Sequence, residues 1–247
     1  MKNYLPDLTW QEVDELRKKT NKVLIPIGSL EQHGPHLPLS TDTMIAFEVA
    51  KRVAKRLKNI ALAPPITIGF SIEHMDFPGT LSLEPTTLMA FLRDLCSSLA
   101  RHGFKKIFII NSHGGNKATI ESAIQSIKNE LDISLYSFTL LDIVQKAFGK
   151  VRESPRGEIG HADEVETSLM LTIHSEKVRK DKFIDESPKL KPHLTFEGSD
   201  KEVSFAWKTK EISKSGVIGK PSKASLEKGR LLLNYLTDRV TEIIRNL

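Results

Sequence analysis

Uninterrupted apolar runs, each followed by a segment of helical period, constrain this chain more than any other feature. VLIPIG (23–28) and KKIFIIN (105–111) read as buried strands, and ISLYSFTLLDI (133–143) as strand-like. IALAPPITIGF (60–70) is a further strand-like run, broken by two prolines. Between them lie helical stripes: Ile45, Val49, Val53 and Leu57 in 43–57; Leu88, Leu92, Leu95 and Leu99 in 83–103, with Gly103 placed to cap the end; and Ile120, Ile124 and Ile127 in 117–131. A strongly periodic helix closes the chain from Ser225. Strands that are apolar throughout, rather than alternating, need cover on both faces, and helices between them supply it. The expected fold class is α/β, with a parallel sheet. Residues 175–225, rich in Lys, Ser and Pro, read as a surface excursion that shapes a pocket or an oligomer contact.

In such a sheet, ligands sit beyond the carboxyl ends of the strands. Polar clusters begin at two of those ends. After VLIPI comes GSLEQHGPHLPLSTDT, which holds Glu31, Gln32, His33, His36 and Asp42. Side chains two apart in extended chain point the same way, so Glu31 and His33 can reach one centre. Asp42 opens a periodic segment and, taken alone, reads as a helix N-cap. After KKIFII comes NSHGGN, where paired glycines let the backbone turn sharply and expose His113, and where Asn116 could cap the next helix. A third cluster is HADEVETSLML (161–171). If this stretch is helical throughout, His161 and Glu164 share a face and Glu166 projects elsewhere.

Carboxylates and imidazoles from three separated segments, without a cysteine cluster, suit hard or borderline divalent ions. Asp42 could bridge a pair of them. The single cysteine, Cys96, lies on a helical stripe and reads as a small buried hydrophobe. No GxSxG elbow, GxGxxG turn or GxxxxGK[ST] loop occurs, which argues against a serine nucleophile, a dinucleotide cofactor and a phosphate cradle. The net charge of +5 is spread among interleaved acids, with aromatics at only 6%, so the surface does not read as a nucleic-acid site. No run approaches the ~20 apolar residues of a membrane span, and the N-terminus lacks the pattern of a signal peptide, so a cytoplasmic protein is expected.

GSLEQHGPHLPLSTD (28–42), NSHGGN (111–116) and GHADEVETSLML (160–171), supported by EHMDFPGTLSL (73–83) and GVIGKPSKASLEKG (216–229), resemble the creatininase (creatinine amidohydrolase) family along nearly the whole chain. The resemblance implies one creatininase-like amidohydrolase domain over residues 1–247, a three-layer α/β/α arrangement with a mostly parallel sheet. It implies a binuclear centre of two divalent ions (zinc, iron or manganese), a small-molecule substrate, and a homo-oligomer, the family including ring-shaped hexamers. Carried onto this chain, Glu31, Asp42 and His113 hold the first ion; His33, bridging Asp42 and one further carboxylate hold the second. Creatininase carries a glutamate where this chain has Gly115, and an apolar residue where it has Glu164. Glu164 is therefore expected to supply the missing carboxylate and to join His161 in catalysis. His161 matches the family's catalytic histidine, which would protonate the departing nitrogen.

The tryptophans that grip creatinine have no clear counterpart, because Trp10 and Trp207 both lie outside the motifs. The resemblance thus implies hydrolysis of a non-peptide C–N bond in a formamide or a cyclic amide. The favoured substrate is 2-amino-5-formylamino-6-ribosylaminopyrimidin-4(3H)-one 5'-monophosphate, which would be deformylated. Creatinine, a mycofactocin-type precursor peptide and a sugar ring are the alternative substrates; a metal-free ligand-binding scaffold is the non-enzymatic alternative. His36 is expected to orient a ligand from behind and His74 to line the pocket, while His102, His174 and His193 read as ordinary surface or packing residues.

Overall fold

Strand β1, Lys22–Ile27, sends Val23, Ile25 and Ile27 to one face of a sheet and Leu24 to the other; all four are fully buried. Strand β3, Lys106–Asn111, does the same with Ile107 and Ile109 against Phe108 and Ile110. This two-sided burial is why both read as unbroken apolar runs. The computed structural model of the chain describes residues 2–155, 160–188, 190, 203 and 205–247; His193 lies outside them. The sheet has four parallel strands in the order β2–β1–β3–β4, with β2 at Ala61–Leu62 and β4 at Ser134–Thr139.

Helices α2 (Thr41–Leu57), α5 (Leu140–Phe148), α6 (Glu164–Ile173) and α8 (Leu226–Asn246) cover one face. Helices α3 (Pro85–Arg101) and α4 (Asn116–Glu130) cover the other, with α1 (Trp10–Arg17) contributing Val13 and Leu16. The short α7 (Thr209–Ile212) lies in the excursion before α8. Cys96 is fully buried on α3, and burial pushes its thiol up to about 12, so it is an inert packing residue.

Register decides where the chemistry goes. Ile27 pairs with Asn111, and Asn111 with Thr139, so three strands end level with one another. The loops after them emerge side by side on one rim.

Three expectations need correction. In 60–70 only Ala61–Leu62 forms a strand, with one isolated bridge from Ile66 to Ile27, because Pro64 and Pro65 offer no N–H to a ladder. The run 133–143 divides into β4 and the start of α5; β4 is an edge strand, mostly half-buried. Finally, 161–171 is not helical from its start: α6 begins at Glu164, capped by Asp163, whose side chain accepts from the N–H groups of Val165 and Glu166.

The excursion is tied back by Glu186. Its carboxylate accepts from Ser213 Oγ (2.8 Å), Lys214 N–H (2.7 Å), Ser215 N–H (2.9 Å) and Ser215 Oγ. Burial opposes ionisation, yet these donors hold the carboxyl at about 2 against an ordinary 4.5. A depressed folded value stabilises the fold above pH 4.5, and the contribution is lost as pH falls toward 2. Glu186→Gln is expected to cost about 1.5–3 kcal/mol at neutral pH. That deficit should vanish between pH 4.5 and about 2 when unfolding midpoints of the two proteins are compared. A deficit that does not change with pH would show that the carboxylate charge is not what holds the loop.

Candidate metal centre

The site starts from a close approach. A Cβ on Gly28 would fall 2.3 Å from Thr43 N, so glycine is needed for β1 to end against the first turn of α2. Asp42, in that first turn, is delivered to the rim. Ser40 occupies the N-cap position, and the Asp42 carboxylate turns inward instead. It accepts from Ser29 Oγ at 2.6 Å and lies 3.4 Å from His33 Nε2 and 3.3 Å from His113 Nδ1. Asn116 braces the neighbouring loops rather than capping α4. Its Oδ1 accepts from Phe70 N–H, and its Nδ2 donates to Gly28 O and Asn111 Oδ1.

Three histidines are oriented alike. His33 Nδ1 is 3.1 Å from Glu31 O, His113 Nε2 is 2.8 Å from Phe70 O, and His161 Nε2 is 2.5 Å from Gln32 O. A carbonyl only accepts, so each of those nitrogens carries the proton in the neutral ring. The other nitrogen of each ring therefore offers a lone pair to the centre. His74 is turned the opposite way. Gln32 Oε1 accepts from Gly34 N–H and its Nε2 donates to Gly216 O, which fixes the amide; Nε2 then also donates to His74 Nδ1 at 2.9 Å. His74 thus presents Nε2–H toward Glu31 Oε1, 3.5 Å away. It is a brace that also lines the cavity.

Glu31 is the most demanding group. It is fully buried, and neither carboxylate oxygen has a hydrogen-bond partner among the described residues. Its Oε1 lies 3.2 Å from His113 Nδ1 and 3.6 Å from His161 Nδ1. Burial alone would raise its pKa, but the imidazoles of His113, His74 and His161 hold it well below the carboxylate range. His33 is driven the opposite way, to about 10: burial resists the charge, while Asp42, Glu166 and Glu31 impose it. His161 is held well below its usual value by burial and by His33 and His74, so it is a neutral base. A buried anion without donors is costly, and His33 Nε2 is orphaned as well. These groups fit a cation.

The five residues expected to converge do not all do so. Glu31, His33, Asp42 and His113 come together; Glu164 does not. It accepts from the N–H groups of Glu153 and Ser154, from Ser154 Oγ and from Lys228 Nζ at 2.5 Å, all away from the centre. The residue at the centre is Glu166, whose Oε2 lies 3.8 Å from His33 Nε2 and accepts from Ala162 N–H at 2.6 Å. The reason is the late start of α6. His161 stands before the helix, paired with Ile218, and Ala162 has a φ of 52°, so three-apart helical spacing never applied to His161 and Glu164. Inside the helix, Glu164 and Glu166 are about 200° apart. Asp163 with a glutamate three residues later, Glu166, was the legible N-cap signal. Burial pushes Glu166 up to about 8.

Among the described residues, ligand atoms within 4.8 Å of one another form three groups: Glu31, Asp42 and His113; His33, Asp42 and Glu166; Glu31, His33 and His161. Glu31, His33 and Asp42 each belong to two of them, and Asp42 is the one shared by the set with His113 and the set with Glu166, as a bridge between those two requires. His36 does not reach the centre; its Nε2 lies 2.9 Å from Thr167 Oγ1. Above the cluster opens a cavity of about 540 Å³, lined by His74, His113, His161, Glu166, Phe148 and Trp207, within the range of small-molecule sites. Trp207, outside every motif, is thus in the wall, whereas Trp10 sits on α1, 76% exposed. A second cavity of about 570 Å³ is lined by Arg17, Lys22 and Arg245 and has no carboxylate or imidazole.

A parallel α/β sheet with carboxylates and imidazoles gathered at its carboxyl rim defines a protein built around a divalent-ion centre. Residues 6–244 match the family described as Creatininase: Creatinine amidohydrolase, and the chain belongs to that family of metal-dependent amidohydrolases. It is 29% identical to the creatinine amidohydrolase of Pseudomonas putida, across 98% of this chain and 96% of that one. It is 33% identical to a mycofactocin precursor peptide peptidase of Mycobacterium ulcerans, across 87% and 81%. It is 26% identical to the 2-amino-5-formylamino-6-ribosylaminopyrimidin-4(3H)-one 5'-monophosphate deformylase of Methanococcus maripaludis, across 91% and 90%. Solved structures of a manganese creatininase and of a mutant creatininase of Zn-Zn type each superpose with a TM-score of 0.86 at 27% identity, covering 100% of this chain and 98% of theirs.

Proposed function

We propose that this chain hydrolyses the C–N bond of a small formamide or cyclic amide at a centre of two divalent ions. The observation that carries the reading is the fully buried Glu31 carboxylate, without a hydrogen-bond donor, beside imidazole lone pairs fixed by backbone carbonyls. Glu31, Asp42 and His113 would hold one ion, and His33, Asp42 and Glu166 the other. Bound there, the ions supply a water of lowered pKa and polarise the substrate carbonyl.

The remaining steps belong to the protein. His161 Nε2–H is committed to Gln32 O, and its Nδ1 faces the centre. As a buried neutral base, His161 takes a proton from the attacking water and returns it to the departing nitrogen, which leaves as an amine. His74 and Gln32 keep Glu31 and His161 in place. His161→Asn is expected to lower kcat by about 10²–10⁴-fold with ion content unchanged. A kcat within threefold of the parent would reject this role.

Within this class we favour deformylation of the formylamino-pyrimidine ribotide named above. The similarity to the Methanococcus enzyme supports it. The reading includes a homo-oligomer in the cytoplasm, and among the described residues no helix is long and apolar enough to cross a membrane. The test loads the protein with zinc, iron or manganese and offers formamides, creatinine and cyclic ureides. Formate release supports deformylation, and ring opening redirects the reading to a cyclic amide. Protein that holds both ions and hydrolyses no amide would overturn it.

A further inference from the structure

Glu73 is a cavity carboxylate that the ion centre does not use. It sits in the 3-10 turn Ile72–His74 and lines the same cavity as His161 and Glu166, with its side chain 15% exposed. Its nearest charged neighbour is His113 Nε2 at 3.8 Å, too far for a hydrogen bond, and that N–H is already given to Phe70 O. It belongs to none of the three groups whose ligand atoms lie together. The other cation near the cavity, Lys117, is engaged 2.7 Å from Asp142.

The position of Glu73 depends on Gly115. A Cβ built there would come 2.8 Å from Glu73 Oε1 and 2.5 Å from His113 Nε2. The glycine that cannot ligate therefore leaves room for a carboxylate from another segment, and that carboxylate faces the cavity.

We propose that Glu73 is a specificity-determining residue that accepts hydrogen bonds from N–H donors on a planar substrate, an amino-heterocycle or an amidine, held against the Trp207 and Phe148 side of the cavity. The chemistry is that of a mostly buried acceptor whose one donor is the N–H of its own residue: a substrate amino group or amidinium adds a donor from the cavity side, and a substrate lacking it leaves that side of the carboxylate unpaired. The inference rests on the cavity being the substrate site of the amidohydrolase reading.

Calorimetric titration of zinc-loaded full-length protein with two probes tests it. One probe is 2,6-diaminopyrimidin-4-one; the other is pyrimidin-4-one, which lacks both amino groups, and neither carries the formamide that the centre would cleave. The parent is expected to bind the diamino probe at least about tenfold more tightly, the scale of a hydrogen bond to a charged group. Glu73→Gln should reduce that preference to within about twofold, with zinc content unchanged, and it should leave affinity for the amino-free probe as it was. Four results would overturn the proposal: no preference in the parent, no binding of either probe, a preference that survives Glu73→Gln, or loss of zinc in the variant. Binding is read without turnover, so a parent that discriminates but does not hydrolyse contradicts the reaction and leaves the role of Glu73 standing.

Discussion

Asp42→Ala protein is expected to lose both divalent ions and at least about 10²–10³-fold in turnover, the scale lost when one preorganised electrostatic stabiliser is removed. No other side chain belongs to both the Glu31–Asp42–His113 and the His33–Asp42–Glu166 groups. Its loss takes away one of the two carboxylates that face each of His33 Nε2 and His113 Nδ1, and with it the one that links the two sets. The fold should survive, because the core lies elsewhere, in clusters built on Leu24, Phe108 and Ile110 and on Ile25, Ile107 and Ile109. Elemental analysis, turnover and a thermal scan on one preparation check this. Retained ions with retained turnover would remove Asp42 from the bridge; retained ions with lost turnover would confine it to catalysis.

The second large effect is a double dissociation between two glutamates in one helical turn. Glu166→Gln should strip the ion held with His33 and abolish most turnover, with little change in stability, since burial already pushes that carboxyl to about 8. Glu164→Gln should do the reverse. The buried Glu164 carboxylate pairs with Lys228 and ties down the backbone of Glu153 and Ser154. Lys228 keeps Glu153 Oε1 at 2.6 Å, so the cost is that of the lost charge-assisted hydrogen bonds, about 1.5–3 kcal/mol, while both ions should stay bound. The assignment of Glu166 fails if Glu164→Gln loses the ion and Glu166→Gln keeps it.

Much of this was legible before any coordinates. Two-sided burial of β1 and β3 makes their sequences continuously apolar, and the rim position of EQHGPH and NSHGGN follows from the parallel architecture. Local spacing sufficed for Glu31 and His33, since both lie on one extended stretch. It failed at 161–166, where the outcome depends on a single backbone reversal at Ala162 and on where Asp163 starts the helix. Glu164 is expected because creatininase is apolar at that position and lacks the glycine at 115, and a helical spacing from His161 agrees; the positive φ at Ala162 breaks that spacing, and it is Glu166 that lies with His33 and Asp42. Gln32, His74 and Trp207 were harder still. Their roles arise from contacts across long separations, such as Gln32 with Gly216 and His74 with Thr209, which leave no local pattern.

Anomalous diffraction from crystals of the zinc-loaded protein, recorded on both sides of the zinc absorption edge, tests the central claim most directly. Two peaks are expected: one among Glu31, Asp42 and His113, the other among His33, Asp42 and Glu166. Fully active protein with no anomalous peak at these side chains, or with its zinc bound elsewhere, would contradict the account.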